Sequence, residues 1–170
     1  ASNNLSTGTP RPLVAPLWDD LDGTTAGIAS YITTGTAPNR VFTFEWLNWE
    51  WNYSANNAVI SFQVKLYETT GVIEFIYRQE AGNVNSGSAS IGIAATLTGA
   101  GNFLSLDGSG TNPNVSSITE TTTIASKPAT GQIYRFTPPA APIAPSNLTF
   151  SGITGTQMTL NWVDNSTNET

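Results

Sequence analysis

Residues 60–78 read ISFQVKLYETTGVIEFIYR, and this stretch decides the fold. Ile60, Phe62, Val64 and Leu66 alternate with Ser61, Gln63 and Lys65, the period of two that marks a strand with one buried face. After Glu68-Thr69-Thr70-Gly71 the alternation resumes, with Ile73, Phe75 and Tyr77 in one phase and Glu74 and Arg78 in the other. Two such runs around a glycine-bearing turn predict an antiparallel hairpin.

The same grammar extends outward. Upstream, residues 40–53 begin with Phe42, Phe44 and Trp46 in one phase and continue with Trp49, Trp51 and Tyr53 in the other. A β-bulge near Leu47-Asn48 reconciles the two. Further strands are predicted at residues 13–18, 28–33, 89–95, 102–106, 117–124 and 132–136, each bounded by Gly, Pro, Asn or Asp. No segment carries a helical stripe. Many short strands with polar turns predict an all-β fold, an antiparallel β-sandwich. Four prolines in the nine residues 137–145 stiffen the chain and deny it a ladder. They suggest a sandwich domain over 1–137, a Pro-rich linker over 138–145 and a separate segment over 146–170.

Composition narrows the function. Charged residues make up only 11% of the chain, against an average of about 25%; Thr, Ser, Asn and Gly fill the polar positions, as in extracellular β-proteins with hydroxyl-rich strand faces. The net charge is −6 and the six basic residues are scattered, which argues against a nucleic-acid partner. With no Cys and no His, disulfides, thiolate nucleophiles, imidazole bases and the usual transition-metal ligands are ruled out, leaving hard ions such as calcium. No run reaches the ~18 apolar residues of a membrane span, and residues 1–10 lack the form of a signal peptide.

Two clusters are candidate sites. Trp49, Glu50, Trp51, Asn52 and Tyr53 set aromatic rings beside a carboxylate and an amide, the groups that stack on and hydrogen-bond to sugars. The same rings also suit the core of a sandwich, and that reading is favoured by about three to one. Asp19, Asp20 and Asp22 before Gly23 resemble part of a calcium loop, although Asp and Gly also make ordinary solvated turns. For catalysis, Glu45, Glu50, Glu68 and Glu74 are the carboxylates that could flank a glycosidic bond. Nothing in the sequence pairs them, and Glu68 at the turn and Glu74 on the polar phase read as solvated. Ser and Thr have neither a His partner nor a nucleophile elbow. No catalytic residue is assigned, and the chain is read as a non-enzyme.

Residues 144–170, APSNLTFSGITGTQMTLNWVDNSTNET, resemble the opening of a fibronectin type III domain: a Pro-rich lead, a first strand at 148–151, and a second at 158–163 carrying Trp162. That family needs about 100 residues in seven strands, so the resemblance implies an incomplete domain. Residues 12–138 resemble a segment of large Bacteroidota surface and secreted proteins that use type IX secretion. The motifs that carry the likeness are Val14-Ala15-Pro16-Leu17-Trp18-Asp19-Asp20-Leu21, Pro38-Asn39-Arg40-Val41, Phe62-Gln63-Val64-Lys65-Leu66-Tyr67-Glu68 and Lys127-Pro128-Ala129-Thr130-Gly131-Gln132-Ile133-Tyr134-Arg135-Phe136. A fainter similarity is to nidogen-like domains, through the apolar-Pro-x-Trp-x-Asp stretch, the aromatic strand and the Phe-Gln strand. These resemblances imply a domain shortened at its N-terminus, placed outside the cell in a multidomain protein. Its role would be binding or adhesion to glycans or to cell-surface or matrix proteins. Rival readings are a carbohydrate-binding module, which two exposed coplanar Trp rings would favour, and a ligand-free spacer, which burial of every Trp would favour.

Overall fold

A computed structural model describes residues 3–167, and its contacts divide the chain into two compact units, Ala1–Thr137 and Pro138–Thr170. The first unit holds β1 (Leu13–Trp18), β2 (Ile28–Thr34), β3 (Val41–Trp49), β4 (Ile60–Tyr67), β5 (Ile73–Gln79), β6 (Ser90–Ala94), β7 (Phe103–Leu106), β8 (Val115–Ser116) and β9 (Ile133–Phe136). All pairings are antiparallel, in a five-stranded sheet ordered β2-β3-β4-β5-β9 and a four-stranded sheet ordered β1-β6-β7-β8. The fold is the all-β sandwich that the alternation implied, with no helix among the described residues.

The β4–β5 hairpin forms as its pattern requires. Phe62 faces Tyr77, Val64 faces Phe75 and Leu66 faces Ile73, so the apolar phases of both strands share one face. Gly71 closes the turn at φ 63°, a left-handed value that suits glycine, with its N–H donating to the Tyr67 carbonyl at 2.9 Å. The bulge in β3 also forms: the register with β4 shifts between Trp46 and Trp49, and Asn48 sits at φ 58° with its N–H on Ser61 Oγ at 2.9 Å. Asn tolerates that conformation better than most residues.

The main core lies between the sheets. Phe62, Val64, Phe75, Tyr77 and Tyr134 come from the five-stranded sheet and Leu17, Ile91 and Leu106 from the other side. The Tyr77 hydroxyl donates to the Pro16 carbonyl across the interior. A second, smaller cluster of Leu5, Ala15, Ala94 and Phe103 lies apart from it.

One predicted strand is absent. Residues 117–124 make a single bridge, Ala89 to Ile124, the Ser117 carbonyl accepts from the Gly101 N–H at 2.7 Å, and several other backbone groups of the run bond to side chains. Ser116 Oγ accepts from the N–H of Ile118 and Thr119, Ser105 Oγ accepts from Thr121 N, and Ser90 Oγ donates to Thr121 O. Hydroxyls in this Ser/Thr-rich run take the place of a ladder.

In the second unit, β10 (Ser146–Ser151) pairs antiparallel with β11 (Thr159–Val163), Phe150 facing Leu160. A two-stranded ribbon has no second layer of its own to bury against.

Candidate functional site

The five residues at the end of β3 do not form an exposed platform. The strand ends at Trp49, and the chain then leaves the sheet, with Glu50 bridged to Asp22 in the loop before β2. Trp51 is 0% exposed and belongs to the core. Its Nε1 donates to Asp19 Oδ2 at 2.8 Å, and a Cβ on Gly87 would lie 2.7 Å from that nitrogen, so the indole rests on a bare glycine backbone. Glu50 and Asn52 are also buried. Asn52 Oδ1 accepts from the Ser54 N–H and hydroxyl, whereas Glu50 Oε1 and Asn52 Nδ2 have no protein partner. Trp49 is half-buried over Gly23 and donates to the Ile28 carbonyl. Tyr53 alone of the five is well exposed. The sugar-stacking surface proposed for Trp49, Glu50, Trp51, Asn52 and Tyr53 is therefore corrected: period two loses its meaning once the strand has ended.

The acidic run serves as a staple rather than as a cation loop. Asp19 Oδ2 accepts from Trp51 Nε1 and from the Ser88 N–H at 2.6 Å, and Oδ1 accepts from Ser88 Oγ and Asp20 N. One carboxylate thus joins the end of β1, the loop after β3 and the lead into β6. Asp22 Oδ1 accepts from Thr24 N at 2.8 Å in a turn, and Asp20 is exposed. Asp19, Asp20 and Asp22 do not converge, and among the described residues no group of three or more acidic, His or Cys side chains is placed to hold a metal.

Of the carboxylates considered for catalysis, Glu45, Glu68 and Glu74 are engaged elsewhere, and Glu50 is buried with its Oε1 unpartnered. Gln63 donates to Glu45 at 2.8 Å. Glu74 points away from the core as its phase required, yet it is not solvated: the Tyr67 hydroxyl and Arg135 close over it at 2.7 and 2.9 Å. Arg40 binds Glu68 through Nε and through its own backbone N–H, and these hydrogen bonds hold the Glu68 carboxyl down at about 2.

The surface left over is where the two sheets fail to match. β1 forms one edge of the four-stranded sheet and packs across β4. Beyond it the described residues of the first unit lay no second layer over the inner face of the five-stranded sheet: β4 is mostly buried, β3 half-buried throughout and β2 exposed throughout. Cross-strand register sets Tyr31 beside Phe44, Thr33 beside Phe42 and Ala29 beside Trp46 on this face. Their rings run on from one another, Tyr31 to Phe42 at 5.9 Å, Phe44 to Trp46 at 4.4 Å and Trp46 to Phe62 at 4.8 Å. An open cleft of about 350 Å³ lies at the Trp46 end, lined in part by Pro10, Pro16, Leu17 and Trp18. A second hollow of about 310 Å³ lies at the Phe42 end, where Thr33 and the Arg40–Glu68 pair supply polar groups. Flat rings flanked by polar side chains can take up an apolar ligand face and orient it.

The phase of Phe42, Phe44 and Trp46 was visible in the sequence, but their exposure depends on the width of the opposite sheet. Tyr31 lay in a predicted strand with nothing to mark its ring as uncovered.

A family model described as NIDO related matches residues 1–138, which spans the whole first unit. No curated protein and no solved structure matches the chain.

Proposed function

The chain belongs to the NIDO-related family, and from that membership we propose that it is a non-catalytic, extracellular binding or adhesion module of a multidomain bacterial surface or secreted protein. The observation that carries the reading is the uncovered aromatic face of β2 and β3, where Tyr31 is 73% exposed and Phe42, Phe44 and Trp46 are half-buried. Contiguous exposed apolar surface on a folded domain marks a place where a partner binds. The engagement of Glu45, Glu68 and Glu74 by neighbouring side chains supports a non-enzymatic role. In this reading the β10–β11 ribbon is the start of a fibronectin type III repeat that spaces the module from its neighbours, and export follows the type IX route of Bacteroidota.

A carbohydrate ligand is the second reading. It is favoured by the stacked Tyr31 and Phe42 rings beside Thr33, Arg40 and Glu68, an arrangement with both a stacking surface and hydrogen-bonding groups. Neither of the two sequence criteria is met: no two coplanar Trp rings stand exposed at 49 and 51, and the tryptophans are not all buried, since Trp162 is 58% exposed.

The test is tryptophan fluorescence of the whole chain, quenched with acrylamide and titrated with soluble polysaccharides and with matrix proteins. One ligand should protect a quenchable population in the wild type and fail to do so in Trp46→Leu and Tyr31→Ser. A signal indifferent to every ligand leaves a structural spacer in place of a binding module.

A further inference from the structure

The first unit has four sheet edges, and three of them carry features that discourage pairing. β1 contains Pro16 and breaks register beside it, β8 is two residues long, and β9 is four residues long with Arg135 committed to Glu74. Short strands, prolines, irregularities and charges are the usual devices that stop a sheet edge from recruiting another strand. β2 has none of them. Its sequence IASYITT is uncharged and free of proline, pairs with β3 over all seven residues without a shift, and is exposed along its whole length. Ile28, Tyr31 and Ile32 are 56%, 73% and 59% exposed.

We propose that β2 is a homotypic contact: it pairs antiparallel with β2 of a second copy of this chain, joining two five-stranded sheets edge to edge. A bare ladder of backbone N–H and C=O groups calls for another strand, and three considerations single out the chain's own copy. Charge is the first. Each chain carries a net −6, yet the paired strands bring no charge into contact. Antiparallel pairing also turns the acidic lead of one strand, Asp20 and Asp22, toward the Thr34 end of the other, where Arg40 and Glu68 neutralise each other, instead of acid toward acid. Side-chain complementarity is the second. A two-fold axis through Ser30 sets Ile28 against Ile32 of the other copy on one face and Tyr31 against Ala29 on the other, so every large exposed residue meets a small or apolar one. The third is size. The five strand residues a side that this axis pairs, 28–32, fall well short of the roughly 20–30 of a standard interface, so the contact is a weak, reversible one, with a Kd above about 1 μM. A permanent dimer is excluded by that area. Many copies displayed on facing surfaces would gain about 10²–10⁴ in avidity.

The inference deepens the adhesion reading by naming its partner, and the contact can be measured apart from its use. Sedimentation velocity of the whole chain from about 1 μM to about 1 mM should show a dimer fraction that rises with concentration and is abolished in Ile32→Lys, while circular dichroism of that variant stays unchanged. The chain has no cysteine, so Ser30→Cys should form a disulfide-linked dimer under mild oxidation, faster than Thr96→Cys on an exposed loop away from the edge. Adding Ile32→Lys to Ser30→Cys should bring the rate down to that of Thr96→Cys. A wild type monomeric across the range, with Ser30→Cys crosslinking no faster than Thr96→Cys, overturns the proposal, as does a dimer that Ile32→Lys leaves intact. Beads coated with the chain then test its use. A dimer in solution without bead clustering upholds the contact and removes the adhesion reading.

Discussion

The five-stranded sheet has two halves written in the same alphabet and put to different uses. In β4 and β5 the inward residues Phe62, Val64, Phe75 and Tyr77 are buried almost completely; in β2 and β3 the residues on the same face, Tyr31, Phe42, Phe44 and Trp46, are half-covered or bare. Both halves alternate, both are rich in aromatics, and both lie in one hydrogen-bonded sheet. What separates them is the opposite layer, which reaches β4 with β1 and stops. An alternating strand therefore specifies which side chains face inward, and the width of the facing sheet specifies whether inward means core or surface.

Matched truncations offer the strongest attempt to break this contrast. Phe75→Ala should cost about 3–5 kcal/mol, the usual range for a large buried aromatic. Phe42→Ala, on the same face at the uncovered end, should cost about 1 kcal/mol, in proportion to its partial burial. Urea unfolding of both variants decides it, since equal losses would mean that β2 and β3 are as well covered as β4 and β5. Removing the staple at the end of β1 comes next in size. Asp19→Ala leaves the buried Trp51 N–H without its acceptor and frees the lead into β6, which should cost about 1–3 kcal/mol and change the Trp51 emission. Asp19→Asn keeps one acceptor oxygen and should lose less. A null result for Asp19→Ala would show that β1 is held over β4 by packing alone.

Alkaline pH gives the gentlest test. Tyr134 on β9 packs edge-on against Tyr77, and burial pushes its hydroxyl up to about 12; burial drives Tyr77 further in the same direction. A hydroxyl whose pKa is raised in the folded state stabilises fully below its unfolded value near 10, and that contribution is lost as pH rises toward 12. The covered half should therefore loosen between about pH 10 and 12, followed by tyrosinate absorbance and near-ultraviolet circular dichroism. A single tyrosinate transition centred near pH 10, with no tyrosine left to ionise around pH 12, would contradict the burial of this pair.

How much of this was legible in the sequence depended on range. The hairpin and its turn at Gly71 were readable because the signal is local and period two needs no distant partner. So was the bulge, because the phase change between Trp46 and Trp49 must be absorbed between them. The failures began where local rules no longer apply. Counting by twos through Trp51 and Tyr53 treated a loop as a strand, which kept a surface reading open for an interior indole although the core reading was the favoured one. Residues 117–124 have strand-forming composition, but their neighbours' hydroxyls bond the backbone first. Asp19 was grouped with its acidic neighbours as a turn or a cation ligand; the better clue was that a buried tryptophan requires an acceptor for its N–H, and the acceptor lay 32 residues away. The bare inner face was not legible at all, because no residue in β2 or β3 encodes how many strands lie opposite.

Trp18 and Trp51, two of the sandwich's indoles, each press against a glycine: a methyl group on Gly8 would come within 2.4 Å of the Trp18 ring, and one on Gly87 within 2.7 Å of the Trp51 nitrogen. For anyone diversifying this domain, or tracing which of its positions drift over time, the two glycines are locked to their rings. A methyl group on Gly8 would also lie 2.4 Å from the Asn4 carbonyl oxygen and one on Gly87 2.6 Å from Val84, so these two positions should stay glycine even in lineages where the ring has been exchanged, while Gly108 and Gly110, which have open space around them, drift.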